Sequence, residues 1–259
     1  MDFKILTSKL LRPYTDSLTD SPLTALHKIP KTGLPADYFQ FYKSVASVYS
    51  SKTEGEDIDF DSFFKHKFLN VKFKPDYTRR ADDLYSAYEF IEKHTISLSN
   101  LQKAHSVLSA NLLPKSQQGF IRTNPMFVIN KDDRIEYVAA PPAIVKQELK
   151  KLFDDIKALQ IRDLNAIEVF YYAAFIHLVF VKIHPFQDGN GRAARLLEKW
   201  FLLEKLGSDA LAIPLEKNYY IHLDKYYANI RKIGLEYENL DYEKSLDFLL
   251  MTVKGVSEI

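Results

Sequence analysis

His184-Pro185-Phe186-Gln187-Asp188-Gly189-Asn190-Gly191-Arg192-Ala193-Ala194-Arg195 is the stretch on which the reading of this chain turns. It holds a base, a carboxylate, an amide, two arginines and two of the chain's eight glycines. A long apolar run precedes it and an amphipathic helical run follows, so it reads as a loop entering a helix N-terminus. Such a place binds phosphate, because the first-turn N–H groups lack partners inside the helix and the dipole's positive end favours anions. Glycine there permits positive φ and close approach of the backbone to a ligand.

The stretch fills every fixed position of His-x-Phe-x-(Asp/Glu)-Gly-Asn-Gly-Arg-x-x-Arg, and in this it resembles the signature of the Fic family. The resemblance implies a mostly α fold: a Fic-type helical bundle core with a β-hairpin flap. It also implies a protein adenylyltransferase, which transfers AMP from ATP to a Ser, Thr or Tyr hydroxyl of a target protein.

The residue types suit that chemistry. A hydroxyl nucleophile needs a base that titrates near neutrality, as histidine does. A nucleoside triphosphate usually arrives with Mg²⁺, which takes one or two carboxylates plus phosphate oxygens, and Asp188 can be one. Gly189, Asn190 and Gly191 can offer N–H groups and an amide to the α- and β-phosphates. Arg192 and Arg195, spaced i, i+3, project from one helix face toward the remaining charge. By resemblance His184 deprotonates the target hydroxyl, Asp188 holds the metal, Arg192 binds the β/γ end, and Phe186 anchors the loop in the core. Taken singly, each residue also suits a plain helix-start loop with a solvated Asp and surface arginines.

Composition bounds the rest. The 259 residues suffice for one large domain or two small ones, with 46% hydrophobic and 14% aromatic residues to build a core. A net charge of +1 gives no basic field for nucleic acid. The absence of cysteine excludes disulfides and fits a reducing compartment, so a cytoplasmic location is expected. Met1 to Thr7 shows no signal-peptide pattern. Val169–Ile183, interrupted by His177 and Lys182, is read as a buried helix rather than a membrane span.

Residues 1–35, rich in Pro and Ser/Thr, read as an irregular lead-in with one short helix near Ile5–Leu11. Pro35 then opens a helix over about 36–54, with Phe39, Tyr42, Val45, Ala46 and Tyr49 at helical spacing. Gly55 is a natural residue just past its end. Glu54 sits where the dipole favours cations, and a carboxylate in conflict with its local field points to a distant cationic partner. Ser50-Ser51-Lys52-Thr53-Glu54-Gly55 matches the Fic inhibitory motif (Ser/Thr)-x-x-x-Glu-(Gly/Asn). By resemblance, this N-terminal helix is inhibitory, and Glu54 pairs with Arg195 to block the productive pose of the ATP γ-phosphate. Ser50 belongs to the same motif. An ordinary surface helix with an exposed Glu is the plain alternative.

Further helices are expected from an Asp61 cap to Leu69, over Tyr77–His94, from a Ser97 cap to about Leu112, over Ala143–Ala158, from an Asp163 cap over Leu164–Ile183, over Asn190–Leu206, from Pro214 onward, and over Asp241–Val253. His105 reads as a packing residue. Met126–Ile129 and Ile135–Val138 around the polar Asn130–Arg134 read as a hairpin, which the resemblance makes a flap (about 126–138) for docking the target's segment. It follows a segment with Gly119 and Arg122, as in the family. Tyr219, Tyr220, Tyr226 and Tyr227 read as packing, with self-modification or adenine stacking as alternatives. The stretch after the motif helix is just enough to finish the domain, without an appended winged helix.

The expected organisation is an N-terminal extension over 1–95 packed on a catalytic core and closing helices over 96–259, as one compact unit. The expected partners are ATP and an unidentified target protein, with no nucleic acid and no membrane; a homo-oligomer stays open. Removal of AMP with Glu54 orienting a water, and a non-catalytic ATP-binding module, are the rival functions. Doc-type relatives phosphorylate, but they carry a Lys in the region where this chain has Gly191.

Overall fold

The computed structural model describes residues 2–19, 21–26, 37–129 and 135–257, and these form twelve α-helices and one two-stranded sheet. The lead-in differs from expectation. Residues near Ile5 do not coil into a helix, because the Asp155 carboxylate accepts the backbone N–H groups of Lys4, Ile5 and Leu6 at 2.8–3.1 Å. Two short helices follow instead, α1 (Leu11–Asp16) and α2 (Pro22–Leu26). Pro13 and Pro22 fall in their first turns, where a missing N–H costs nothing.

The described part of α3 is Tyr38–Thr53, and the Pro35–Ala36 start lies outside the described residues. Its buried face carries Ser44, Ser47, Ser50 and Ser51 beside Val45, Ala46 and Val48. Small side chains let it lie close against its neighbours. α4 (Phe60–Phe68) is capped by Asp59, which accepts from Asp61 and Ser62 N–H, and not by Asp61. α5 (Pro75–Ile91) begins two residues before the expected Tyr77, at its proline. α6 (Leu98–Leu108) is capped by Ser97 as expected but ends before Leu112, in a turn.

β1 (Phe127–Ile129) and β2 (Ile135–Val138) pair antiparallel, Phe127 opposite Val138. The Asn130–Arg134 turn lies outside the described residues. α7 (Pro142–Gln160) leads to α8 (Ala166–Ile183). The start of α8 is set by a capping box of Asn165 and Glu168, in place of the expected Asp163 cap, because the reciprocal pair satisfies two backbone donors at once. α9 (Asn190–Leu206) has the expected bounds. α10 (Leu215–Ile221) and α11 (Leu223–Lys232) follow. The last helix, α12, is Leu246–Ser257 rather than Asp241–Val253. Asp241 caps only a single 3₁₀ turn, Tyr242–Lys244.

α8 is the axis of the molecule. From Val169 to Ile183 every residue is buried, against α7, α9 and α12 and the N-terminal α1 and α2. Its 18 residues, at mean hydropathy 1.7, meet the length and composition of a membrane span, yet 83% of the helix is buried inside the protein. The main apolar cluster runs from Leu6 to Val256 and draws on both sides of residue 95. A smaller one, Val48, Ile58, Phe63, Ala81 and Tyr85, joins α3, α4 and α5. One buried polar network is closed on itself. His177 lies 2.6 Å from Glu198 and 3.0 Å from the Tyr226 hydroxyl, while Tyr219 donates to Glu198. Tyr219 and Tyr226 are therefore core residues, closed to modification or stacking on a ligand.

Candidate active site

α8 stops at His184, whose φ of +53° is left-handed, and Pro185 follows. A non-glycine residue in that region is uncommon and turns the chain sharply. The turn presents the imidazole beside the hairpin. Its Nδ1 lies 3.1 Å from the Tyr137 hydroxyl of β2 and 3.3 Å from the Val181 carbonyl oxygen. A carbonyl only accepts, so Nδ1 carries the proton in that contact and Nε2 keeps the lone pair. Burial, and then the Arg122 guanidinium, push the ring's pKa down to about 4, so it is neutral at pH 7.

Arg122 fastens this turn. Its guanidinium donates to the carbonyls of His184 (2.6 Å), Ile183 (3.2 Å), Ala140 (2.6 Å) and Asn124 (2.6 Å), and its N–H donates to Pro185. One side chain thus ties the end of α8 to both flanks of the hairpin.

The loop is held from below. Phe186 is fully buried and stacks on His105, with centroids 3.6 Å apart and planes at 15°. His105 Nε2 donates to the Asp188 carbonyl, and Nδ1 accepts the Gly119 N–H, both at 2.9 Å. Burial lowers its pKa to about 4. Asn190 Oδ1 accepts from Phe186 N–H at 2.8 Å, and Nδ2 donates to the Phe186 carbonyl at 2.9 Å. The amide expected to reach phosphates is thus turned inward and shapes the loop; only the backbone of Asn190 faces out at the helix start. Gly189, with φ +76°, precedes α9, and its N–H donates to Asp188 Oδ1 at 2.5 Å. Asp188 is exposed and, among the described residues, has no ion pair.

Arg195 and Arg192 point from the first turns of α9 toward the end of α3. Both are buried. Arg195 donates to Ser50 Oγ (2.8 Å), the Ser50 carbonyl (3.1 Å) and Glu54 Oε1 (2.6 Å). Arg192 donates to Glu56 Oε1 at 2.9 Å, and the same oxygen takes Arg80 Nη1 of α5 at 2.5 Å. Burial raises the Glu54 pKa, but the charges of Arg195 and Arg192 outweigh it, and the carboxyl sits below its ordinary range. Arg192 Nε and Arg195 Nη1 remain buried without a partner. Glu54 lies so close over Gly191 that a Cβ there would collide with its carboxylate. The carboxylate therefore fills the anion-binding space that the N-terminus of α9 creates.

The sequence-derived set, His184, Asp188 to Arg192, Arg195, Ser50 and Glu54, converges on this one place. Arg122, Tyr137, His105, Glu56 and Arg80 were not assigned to it in advance. Glu56 had one signal, a second acid just past a glycine that ends a helix; Arg80 had none. Among the described residues no cluster of three His, Cys, Asp or Glu side chains could by itself hold a metal.

Comparison with known proteins relates the chain to others by sequence and by fold. Residues 95–202 match the model of the Fic/DOC family. Protein adenylyltransferase fic-1 of Caenorhabditis briggsae is 28% identical over 144 residues, 56% of this chain and 25% of that protein. Protein adenylyltransferase Fic of Drosophila yakuba is 26% identical over 142 residues, 54% of this chain and 26% of that protein. The match thus spans about a quarter of the length of these curated relatives. Among solved structures, a Fic family protein from Desulfovibrio desulfuricans G20 superposes with a TM-score of 0.76 at 15% identity, covering 100% of this chain and 76% of the other. A Fic domain containing signaling protein from Bacteroides thetaiotaomicron VPI-5482 gives 0.63 at 18% identity, covering 96% and 93%. At such identities the likeness is one of fold, and it extends beyond the matched domain to nearly the whole chain. Residues 95–202 of this chain are a Fic domain, of the Fic/DOC family.

Proposed function

We propose that this chain transfers AMP from ATP to a hydroxyl side chain of a target protein, and that Glu54 holds it inactive. The observation that carries the reading is the convergence of a neutral histidine, a helix N-terminus and two buried arginines on a space filled by one carboxylate. A carboxylate at an anion site marks where phosphate belongs. The relatives named protein adenylyltransferase support the choice of ATP and of a protein target.

In this mechanism the target hydroxyl oxygen attacks the α-phosphorus and its proton passes to Nε2 of His184. The bond from the α-phosphorus to the bridging oxygen breaks, and pyrophosphate leaves. The first-turn N–H groups of Asn190, Gly191 and Arg192 face the phosphate chain, and Arg192 and Arg195 hold its β/γ end. Asp188, exposed and free of ion pairs among the described residues, would hold a Mg²⁺ as one carboxylate ligand, and the ion would supply positive charge against the phosphates. The target segment lies along β1, whose Phe127 and Ile129 are exposed, by main-chain pairing. A side chain at position 191 is incompatible with Glu54 in its present seat, which argues against the Lys-bearing phosphorylating relatives.

ATP must displace Glu54 from Arg195, and breaking a buried charge pair costs about 3–5 kcal/mol, roughly 10²–10⁴ in affinity. Glu54→Gly should therefore raise AMP transfer by about 10²-fold. Intact-mass spectrometry of wild type, Glu54→Gly and Glu54→Gly/His184→Ala after incubation with ATP and Mg²⁺ tests this. An AMP-sized adduct on Glu54→Gly alone is expected. A phosphate-sized adduct sinks the proposal, as does the lack of any His184-dependent AMP label on self or on lysate proteins.

A further inference from the structure

Glu54 accounts for only one of the two motif arginines. Arg192, whose side chain is 4% exposed, has its own carboxylate, Glu56, at 2.9 Å. The geometry follows from the end of α3. Gly55 adopts φ +83°, with open space where a Cβ would stand, so the position is selected for its left-handed turn and not for room. The reversal brings Glu56 N–H back to the Ser51 carbonyl at 3.2 Å, which leaves residues 54 and 56 both facing α9. Two acids beside the negative end of α3 oppose its dipole; they are tolerated because the positive end of α9 and two buried guanidinium groups lie across from them.

Glu56 differs from Glu54 in one respect: its Oε1 is shared. Arg80 Nη1 reaches that oxygen at 2.5 Å, from a side chain 46% exposed, whereas Arg192 is enclosed. Arg80 is thus the partner free to move, and Arg192 the one whose fate follows.

We propose that Glu56 is a second lock on the phosphate site, withholding Arg192 as Glu54 withholds Arg195, and that Arg80 sets the strength of this lock by competing for the same carboxylate oxygen. The proposal rests on the reading that Arg192 takes the β/γ end of ATP. Even where a phosphate reaches the unpartnered Arg192 Nε without expelling Glu56, the two anions repel across a buried site. Removal of Glu54 alone therefore leaves the site half closed, and AMP, which lacks the β- and γ-phosphates, is indifferent to Glu56.

The test is calorimetric titration of ATP, ADP and AMP, with Mg²⁺, into Glu54→Gly, Glu54→Gly/Glu56→Gln, Glu54→Gly/Arg80→Ala and the triple variant, each first shown by thermal melting to be folded. Glu56→Gln should tighten ATP and ADP about tenfold on the Glu54→Gly background and leave AMP unchanged. Arg80→Ala should weaken ATP about threefold while Glu56 is present, and have no effect beside Glu56→Gln. Equal ATP affinity with and without Glu56 overturns the second lock; if Glu54→Gly still acquires AMP, the transfer reading stands without it. An Arg80→Ala effect that survives Glu56→Gln overturns the competition. A folded Glu54→Gly that binds no ATP overturns both readings together.

Discussion

His105 and His184 flank the same loop, and burial holds both neutral, each with a pKa near 4. Their valences differ. His105 spends both ring nitrogens on backbone groups, the Gly119 N–H and the Asp188 carbonyl, and its ring face on Phe186. His184 spends Nδ1 alone and keeps Nε2. A depressed pKa therefore does not mark a base. What separates a structural histidine from a chemical one here is an unspent nitrogen facing an anion site.

The sharpest way to break that contrast is to remove each ring. His184→Ala in the Glu54→Gly background should cut AMP transfer by roughly 10²–10⁴-fold, measured by adduct formation rate, with the thermal midpoint within a few degrees. A loss below tenfold removes His184 from the role of base. His105→Ala should act through stability instead. It deletes two buried hydrogen bonds and a packed ring, for about 3 kcal/mol in urea unfolding. Unchanged stability would mean that the loop is held by something else.

Acid sharpens the contrast next. An unfolded imidazole takes up a proton below about 6.5, whereas folded His105 resists until about 4. The unfolded state binds more protons across that window, so the contribution is complete above pH 6.5 and is lost as pH falls toward 4. Between pH 8 and 5 the wild type should lose about 2 kcal/mol more than His105→Gln in parallel urea titrations. The smallest effect concerns the hairpin. Tyr137→Phe removes the one side-chain hydrogen-bond partner of His184 among the described residues and should lower the transfer rate about threefold with the KM for ATP unchanged. An equal change in KM would place Tyr137 in nucleotide binding.

The motif loop, the bounds of α9 and the Ser97 cap were legible in the sequence because short-range order specifies them, whereas the contact of Glu54 with Arg195, 141 positions apart, was expected from the family resemblance alone. The misplaced starts of α4 and α8 have a local cause: Asp59 and Asp61 both stand within a few residues of the Phe63-Phe64 pair, and Asp163 stands two residues before the Asn165–Glu168 pair that closes a capping box. That pair was itself readable, as Asn-x-x-Glu. The remainder depended on contacts that no local pattern encodes. Asp155 holds the N-terminal segment from about 150 positions away. Glu56 finds Arg192 across 136 positions, and the inward turn of Asn190 is visible only once Phe186 is seated.

The burial of α8 has a consequence for how the chain is made. This helix would satisfy a membrane on composition alone, and it is shielded in part by α1 and α2, which precede it in the chain, and by α12, which follows it. Until α12 emerges from the ribosome, one flank of an 18-residue apolar helix has no protein cover. A chain truncated before α12 should therefore expose that flank and aggregate more readily than the full chain, even though it contains every residue of the motif loop.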